Sequence, residues 1–190
     1  MQAKVFRRYS GNNKYSYAIA YRGTDSWYDV VTDVEEVWLN RAKGQTNDAA
    51  NLISTIRTRY SSNMDGLYFT GHSLGGYLAQ WVQSEITDGV IGMNVPTATY
   101  TYNAPGFTQN IPPFGGELPT FYNKVKEKLK NPSKYTTIEN ISVNGDLVSL
   151  VGTTLGNKVR FNPPTWYNSL LDYHAIMRFL EIYGGTHLIP

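Results

Sequence analysis

The sequence predicts the α/β class, a mostly parallel central sheet with helices on both faces, and three observations carry that expectation. Short apolar runs read as strands at 15–21, 67–70, 98–103 and 138–143, with amphipathic stretches at helical spacing between them. Each strand run ends in a polar or glycine-rich turn, where α/β proteins gather their functional side chains. Strands that alternate with helices join by right-handed crossovers, which makes the sheet parallel. The 190 residues hold no repeat, low-complexity segment or linker. They suit a single domain over 1–190, long enough to bury roughly 70% of the surface of the unfolded chain.

Taken in order, 15–21 alternates aromatic with small residues and stops at Arg22-Gly23-Thr24-Asp25. A helix over 27–39 follows, with Asp25 or Ser26 as its cap and Val30, Val31, Val34, Val37 and Trp38 on its apolar side. Leu52, Ile53, Ile56 and Tyr60 predict a second helix behind a cap at Thr46 or Asn47. The strand at 67–70 runs into Gly71-His72-Ser73-Leu74-Gly75, after which Leu74, Tyr77, Leu78, Trp81 and Val82 mark one helix face. The strand at 98–103 breaks at Ala104-Pro105-Gly106, and 105–119 is loop. Leu118, Phe121, Tyr122, Val125 and Leu129 form a helical stripe, and Lys124, Lys126, Lys128 and Lys130 opposite them read as a solvated face. The strand at 138–143 ends at Asn144-Gly145-Asp146, and a last helix spans 173–183.

Composition removes several functions. Seventeen basic residues against 15 acidic give a net charge of +2, which leaves no footprint for nucleic acid and no polybasic membrane anchor. The absence of cysteine excludes disulfides, thiolate metal sites and a cysteine nucleophile. The first residues lack the apolar core of a signal peptide and no apolar run is long enough for a transmembrane segment. The chain is therefore expected to be soluble, in the cytoplasm or exported without a signal. Fifteen tyrosines and four tryptophans imply partly exposed aromatic surface, either tyrosines wetted at the core edge or a patch that touches a lipid interface transiently.

The chemistry centres on the glycine-rich turn. A serine hydroxyl becomes a useful nucleophile only when it is exposed on a strained turn, near a base and fixed hydrogen-bond donors. Strand, G-x-S-x-G and amphipathic helix in succession supply that setting, and Ser73 is the expected nucleophile. The extra Gly76 relaxes packing further. His72 lies inside the turn and points elsewhere, so the base is His174, at the entry to the last helix, ahead of His187 near the chain end. Among Asp88, Glu117, Glu127, Glu139, Asp146 and Asp172, only Asp146 directly follows a strand, so it is the expected orienting acid. The oxyanion would be held by the Leu74 N–H and by Thr24, in a loop that Gly23 lets approach closely. Asp25, Asp29 and Asp33 read as a capping or solvated face rather than a metal site. The chemistry calls for no cofactor.

With these pieces in order, the sequence resembles the class 3 lipase family of α/β-hydrolases, and looks like a small bacterial-type member. The resemblance runs from about residue 17 to 180. It rests on Ala20-Tyr21-Arg22-Gly23-Thr24 as the oxyanion segment, Thr70-Gly71-His72-Ser73-Leu74-Gly75-Gly76 as the elbow, and Asn103-Ala104-Pro105-Gly106 as the family's G-[AS]-P turn. Asn144-Gly145-Asp146-Leu147-Val148 is similar to the acid segment and Tyr173-His174 to the final histidine. The resemblance implies a triad of Ser73, Asp146 and His174, a lid at 26–40, and Asp33 as the acid that holds the oxyanion hydroxyl. The family's V-H-x-G-[FY] segment has no counterpart at 37–44, which favours small or partly soluble esters over long-chain fats. The expected activity is hydrolysis of acyl or lipid esters through an acyl-enzyme. The alternatives are a phospholipase A1-type activity on the sn-1 ester and a catalytically silent binding protein on the same fold.

Overall fold

The computed structural model describes residues 1–23, 36–108, 118–163 and 173–175, the side chains of 36–43 and 118–119 excepted. A six-stranded sheet runs in the order β1-β2-β3-β4-β5-β6. β1 (Ala3–Gly11) and β2 (Lys14–Tyr21) pair antiparallel as an edge hairpin, and every later neighbour pairs parallel. The hairpin turns through Asn12 and Asn13 at φ 52° and 57°, the left-handed pair that a two-residue turn needs and that asparagine tolerates. α1 (Glu36–Tyr60) leads to β3 (Met64–His72), α2 (Leu74–Thr87) to β4 (Thr97–Tyr102), and α3 (Leu118–Lys130) to β5 (Ile138–Val143). A 3-10 turn at Val148–Leu150 precedes β6 (Asn157–Phe161).

Parallel strands laid down in sequence order with right-handed crossovers put all their connecting helices on one face. Accordingly Ile53 and Ile56 of α1, Leu78 and Val82 of α2, and Val125 of α3 join one core with Tyr17, Ile19, Leu67 and Phe69 of the sheet. The expectation of helices on both faces is met on this one. The last helix, expected over 173–183, lies outside the described residues beyond 175. On the opposite face Phe6, Tyr68 and Tyr100 are exposed, the half-open aromatic surface that the composition implies. Among the described residues no helix is long and apolar enough to cross a membrane.

Two expectations need correction. The helix over 36–60 runs unbroken through Gly44, Thr46 and Asn47, so no cap stands there. One glycine costs a helix only about 1 kcal/mol, and Thr46 is a buried interior position of the same helix. Lys128 does not belong to a solvated face: it is 2% exposed and its ammonium lies 2.7 Å from both Glu85 and Asp88. Two strands, β1 and β6, carry no strand signal in the sequence. β1 is exposed along most of its length and β6 along much of its own, so neither shows the apolar alternation of a half-buried strand.

Candidate active site

The parallel strands end together, and the turns behind β3, β4 and β5 build the site. Ser73, between β3 and α2, sits at φ 56° and ψ −130°, a conformation rare outside glycine and tolerated where packing enforces it. Its N–H donates to the Tyr102 carbonyl at 3.0 Å, and its carbonyl accepts the N–H groups of Gly76 and Tyr77. The close approach of α2 to the sheet explains the glycines. A Cβ on Gly75 would lie 2.1 Å from the Tyr21 carbonyl oxygen. Gly76 is as constrained, since its Cβ would stand 2.5 Å from that of Ala104, so it does more than relax the packing.

Gly23 brings the loop after β2 against the elbow, where an added Cβ would lie 2.8 Å from the His72 carbonyl oxygen and 3.3 Å from the Ser73 Cβ. Thr24, the next residue, lies outside the described residues, as do Asp25, Asp29, Asp33, Glu117, Asp172, His187 and the first part of the 26–40 segment. Leu74 opens α2, so its N–H is one of those that a helix start leaves without an intrahelical acceptor, at the positive end of the helix dipole.

Asp146 and His174 come together from β5 and from the chain 28 residues later. Asp146 is fully buried. Its Oδ1 meets His174 Nδ1 at 2.8 Å, and its Oδ2 accepts the Ser149 N–H at 2.8 Å. The Ser149 hydroxyl donates back to the Asp146 carbonyl at 3.0 Å, closing the 3-10 turn around the acid. Lys158 donates to the Ser149 carbonyl at 3.2 Å. Burial first and then Arg160 hold the Lys158 ammonium below its ordinary value, against the opposite pull of Asp146. A carboxylate on Nδ1 makes the neutral imidazole carry its proton there and leaves the lone pair on Nε2.

The other acids are placed elsewhere. Asp88 and Glu127 pair with lysines, and Glu139 lies on the half-open face of β5. Among the described residues no cluster of three His, Asp or Glu could hold a metal ion.

Two residues outside the expected triad also meet at this point, and one of them, His72, does not point elsewhere as the sequence predicts. The His72 ring lies 4.6 Å from the His174 ring, centroid to centroid. Its Nε2 is 2.5 Å from the His174 carbonyl, which can only accept, so His72 holds its proton on Nε2. Burial, and after it the charge of a protonated His174, pushes the His72 imidazolium down to about 4, so it stays neutral near neutral pH. Asn103, at the end of β4, is fully buried and also bonds the chain at 173–174. Its only sequence signal is an asparagine before Ala-Pro-Gly, a residue type that tolerates a left-handed turn.

The family model described as Phospholipase-like: Tle-like phospholipase domain matches residues 1–171, a span that includes Ser73 and Asp146 and stops short of His174. Among solved structures the chain is similar to a lipase from Rhizopus microsporus var. chinensis, at 16% identity and a TM-score of 0.48 over 78% of this chain and 52% of that one. It is also similar to the Lip2 lipase of Yarrowia lipolytica, at 17% identity and a TM-score of 0.49 over 90% of this chain and 69% of that one. The chain thus spans about half the length of the first of these lipases. No curated protein matches it significantly.

Proposed function

Because the chain belongs to the Tle-like phospholipase family, we propose that it hydrolyses a carboxylic ester of a lipid through a serine acyl-enzyme. Ser73 is the nucleophile, His174 its base and Asp146 the acid that orients the base. The observation that carries this reading is the fully buried Asp146 held 2.8 Å from His174 Nδ1, beside a serine at positive φ between strand and helix.

In the first half-reaction His174 Nε2 takes the Ser73 hydroxyl proton as Oγ bonds to the ester carbonyl carbon. The carbonyl electrons move onto oxygen, where the Leu74 N–H and Thr24 stabilise the oxyanion, each donor worth about 3 kcal/mol. The oxyanion collapses, the ester C–O bond breaks, and His174 returns the proton to the departing alcohol. Water then repeats the sequence on the acyl-enzyme and releases the free acid and Ser73. Asp146 stabilises the imidazolium formed in both halves and keeps its own charge.

The family supports a phospholipid as substrate, and cleavage at the sn-1 ester is the specific form of that activity we propose. The test is labelling with a fluorophosphonate, followed by assays on a p-nitrophenyl ester and on phospholipid vesicles. Wild type should label and release acid, and Ser73→Ala should do neither. A wild-type protein that neither labels nor turns over any ester sinks the enzyme reading. Turnover of the p-nitrophenyl ester without release from vesicles sinks the lipid substrate alone.

A further inference from the structure

Asn103 bonds the segments from which Asp146 and His174 come, and its neighbour Tyr102 bonds that of Ser73. Its side chain is fully buried and fully used. The Nδ2 amide donates to the Tyr173 carbonyl at 2.7 Å and to the His174 carbonyl at 3.3 Å. The Oδ1 accepts the N–H of Val143 at 3.0 Å. Val143 closes β5, and its carbonyl in turn accepts the Asp146 N–H at 3.2 Å. The preceding residue, Tyr102, supplies the carbonyl that holds the Ser73 N–H at 3.0 Å.

These partners decide which way the amide faces, because one side offers two acceptors and the other a donor. The backbone at Asn103 also has φ 43°, a left-handed conformation costly for most side chains and tolerated by asparagine. The chain therefore keeps a strained residue here whose side chain bonds the segments of acid and base. The His174 carbonyl accepts a second donor, His72 Nε2, at 2.5 Å, so the backbone of the base is held from β3 and β4 at once.

We propose that Asn103 is a positioning residue for the reaction, which acts through His174 and never touches substrate. By fixing the carbonyls of 173 and 174 to the end of β5, it holds the His174 imidazole in register with Asp146 and with the elbow. This rests on the reading of Ser73, Asp146 and His174 given above. A displacement of about 1 Å at such a group can cost roughly 100-fold in rate.

Two substitutions separate positioning from mere packing. Asn103→Gly accepts the same φ and removes only the side chain, so it should fold. It should lower kcat roughly 10–100-fold while KM stays within about twofold. Asn103→Asp keeps the shape but removes the NH2 donor shared by the two carbonyls, so it should lower kcat in the same sense as Asn103→Gly while KM again stays near wild type.

The proposal is overturned if Asn103→Gly melts earlier yet keeps wild-type kcat at temperatures where it is folded. Ser73→Ala in the same series separates the two readings. If Ser73→Ala turns over ester, the site itself is wrong. If it is inactive while Asn103→Gly is as fast as wild type, only the role of Asn103 is wrong.

Discussion

The two ends of α2 each hold a buried polar cluster, and the clusters are built on opposite plans. At the end behind Ser73, one carboxylate bonds one imidazole, a second imidazole and an amide bond the backbone of that histidine, and two residues of the cluster, Ser73 and Asn103, sit at positive φ. At the end capped by Asp88, charge is matched with charge. Lys128 bridges Glu85 and Asp88, Lys124 meets Glu85 at 2.8 Å, Lys134 meets Asp88 at 2.7 Å, and the Lys128 ammonium lies 5.1 Å from the Trp81 ring centre. The helix dipole favours each arrangement: developing negative charge at its start, lysines at its end. The contrast separates a cluster through which a proton can move from one whose ion pairs only join α2 to α3.

Removing one partner at each end should therefore give opposite phenotypes. The largest effect is expected for Asp146→Asn. The amide oxygen can still accept the Ser149 N–H, but its NH2 faces His174 Nδ1 and stabilises the tautomer whose Nε2 already carries a proton. kcat should fall on the order of 10⁴-fold, as an inverted tautomer does in serine hydrolases generally, with the melting temperature within a few degrees of wild type. Lys128→Met comes next and reverses the pattern. It leaves Glu85 and Asp88 without their shared buried cation, which costs about 3–5 kcal/mol, while kcat measured well below the melting temperature stays at the wild-type value. Loss of activity in folded Lys128→Met would show that the ends communicate through α2 and would break the distinction.

The sequence made one end of this helix far easier to read than the other. The proposed triad of Ser73, Asp146 and His174 could be picked out because the proposed chemistry demands residue types in definite settings: a serine between strand and helix, an acid directly behind a strand, a histidine after both. The ion cluster leaves no such trace. Lys124, Lys126, Lys128 and Lys130 look alike in sequence, and only the approach of α3 to α2 turns Lys128 inward and leaves Lys130 on Glu127 at the surface. Asn103 was hidden for a related reason, since its partners lie 40 and 70 residues away and no local pattern encodes them. The parallel sheet follows from alternation and handedness, whereas β1 escaped because an edge strand with Lys4, Arg7 and Arg8 along it lacks the signature of a half-buried one.

The smallest expected effect distinguishes the two ends by pH. His72 titrates near 6.5 in an unfolded chain and is pushed down to about 4 here by burial and then by His174. Between those values the unfolded chain binds a proton that the folded chain refuses, so stability falls as pH drops from about 6.5 to 4. The full window corresponds to about 3–4 kcal/mol. Asp88 behaves in the opposite sense. Burial alone would raise its carboxyl, but hydrogen bonds from Lys128 and Lys134 outweigh that and hold it below the usual range. Its contribution is intact above about 3.9, the value for an unfolded aspartate, and is lost only as pH falls through the lower folded value. Acidification should thus loosen the Ser73 end first and the ion-paired end last. Thermal melting of wild type from pH 8 to pH 3 should decline from about pH 6.5, and His72→Asn should flatten the decline between about 6.5 and 4 while keeping the drop below it. A wild-type melting temperature that holds level down to about pH 4 would mean that His72 accepts a proton in the folded chain, and the two ends would then be alike in their response to acid.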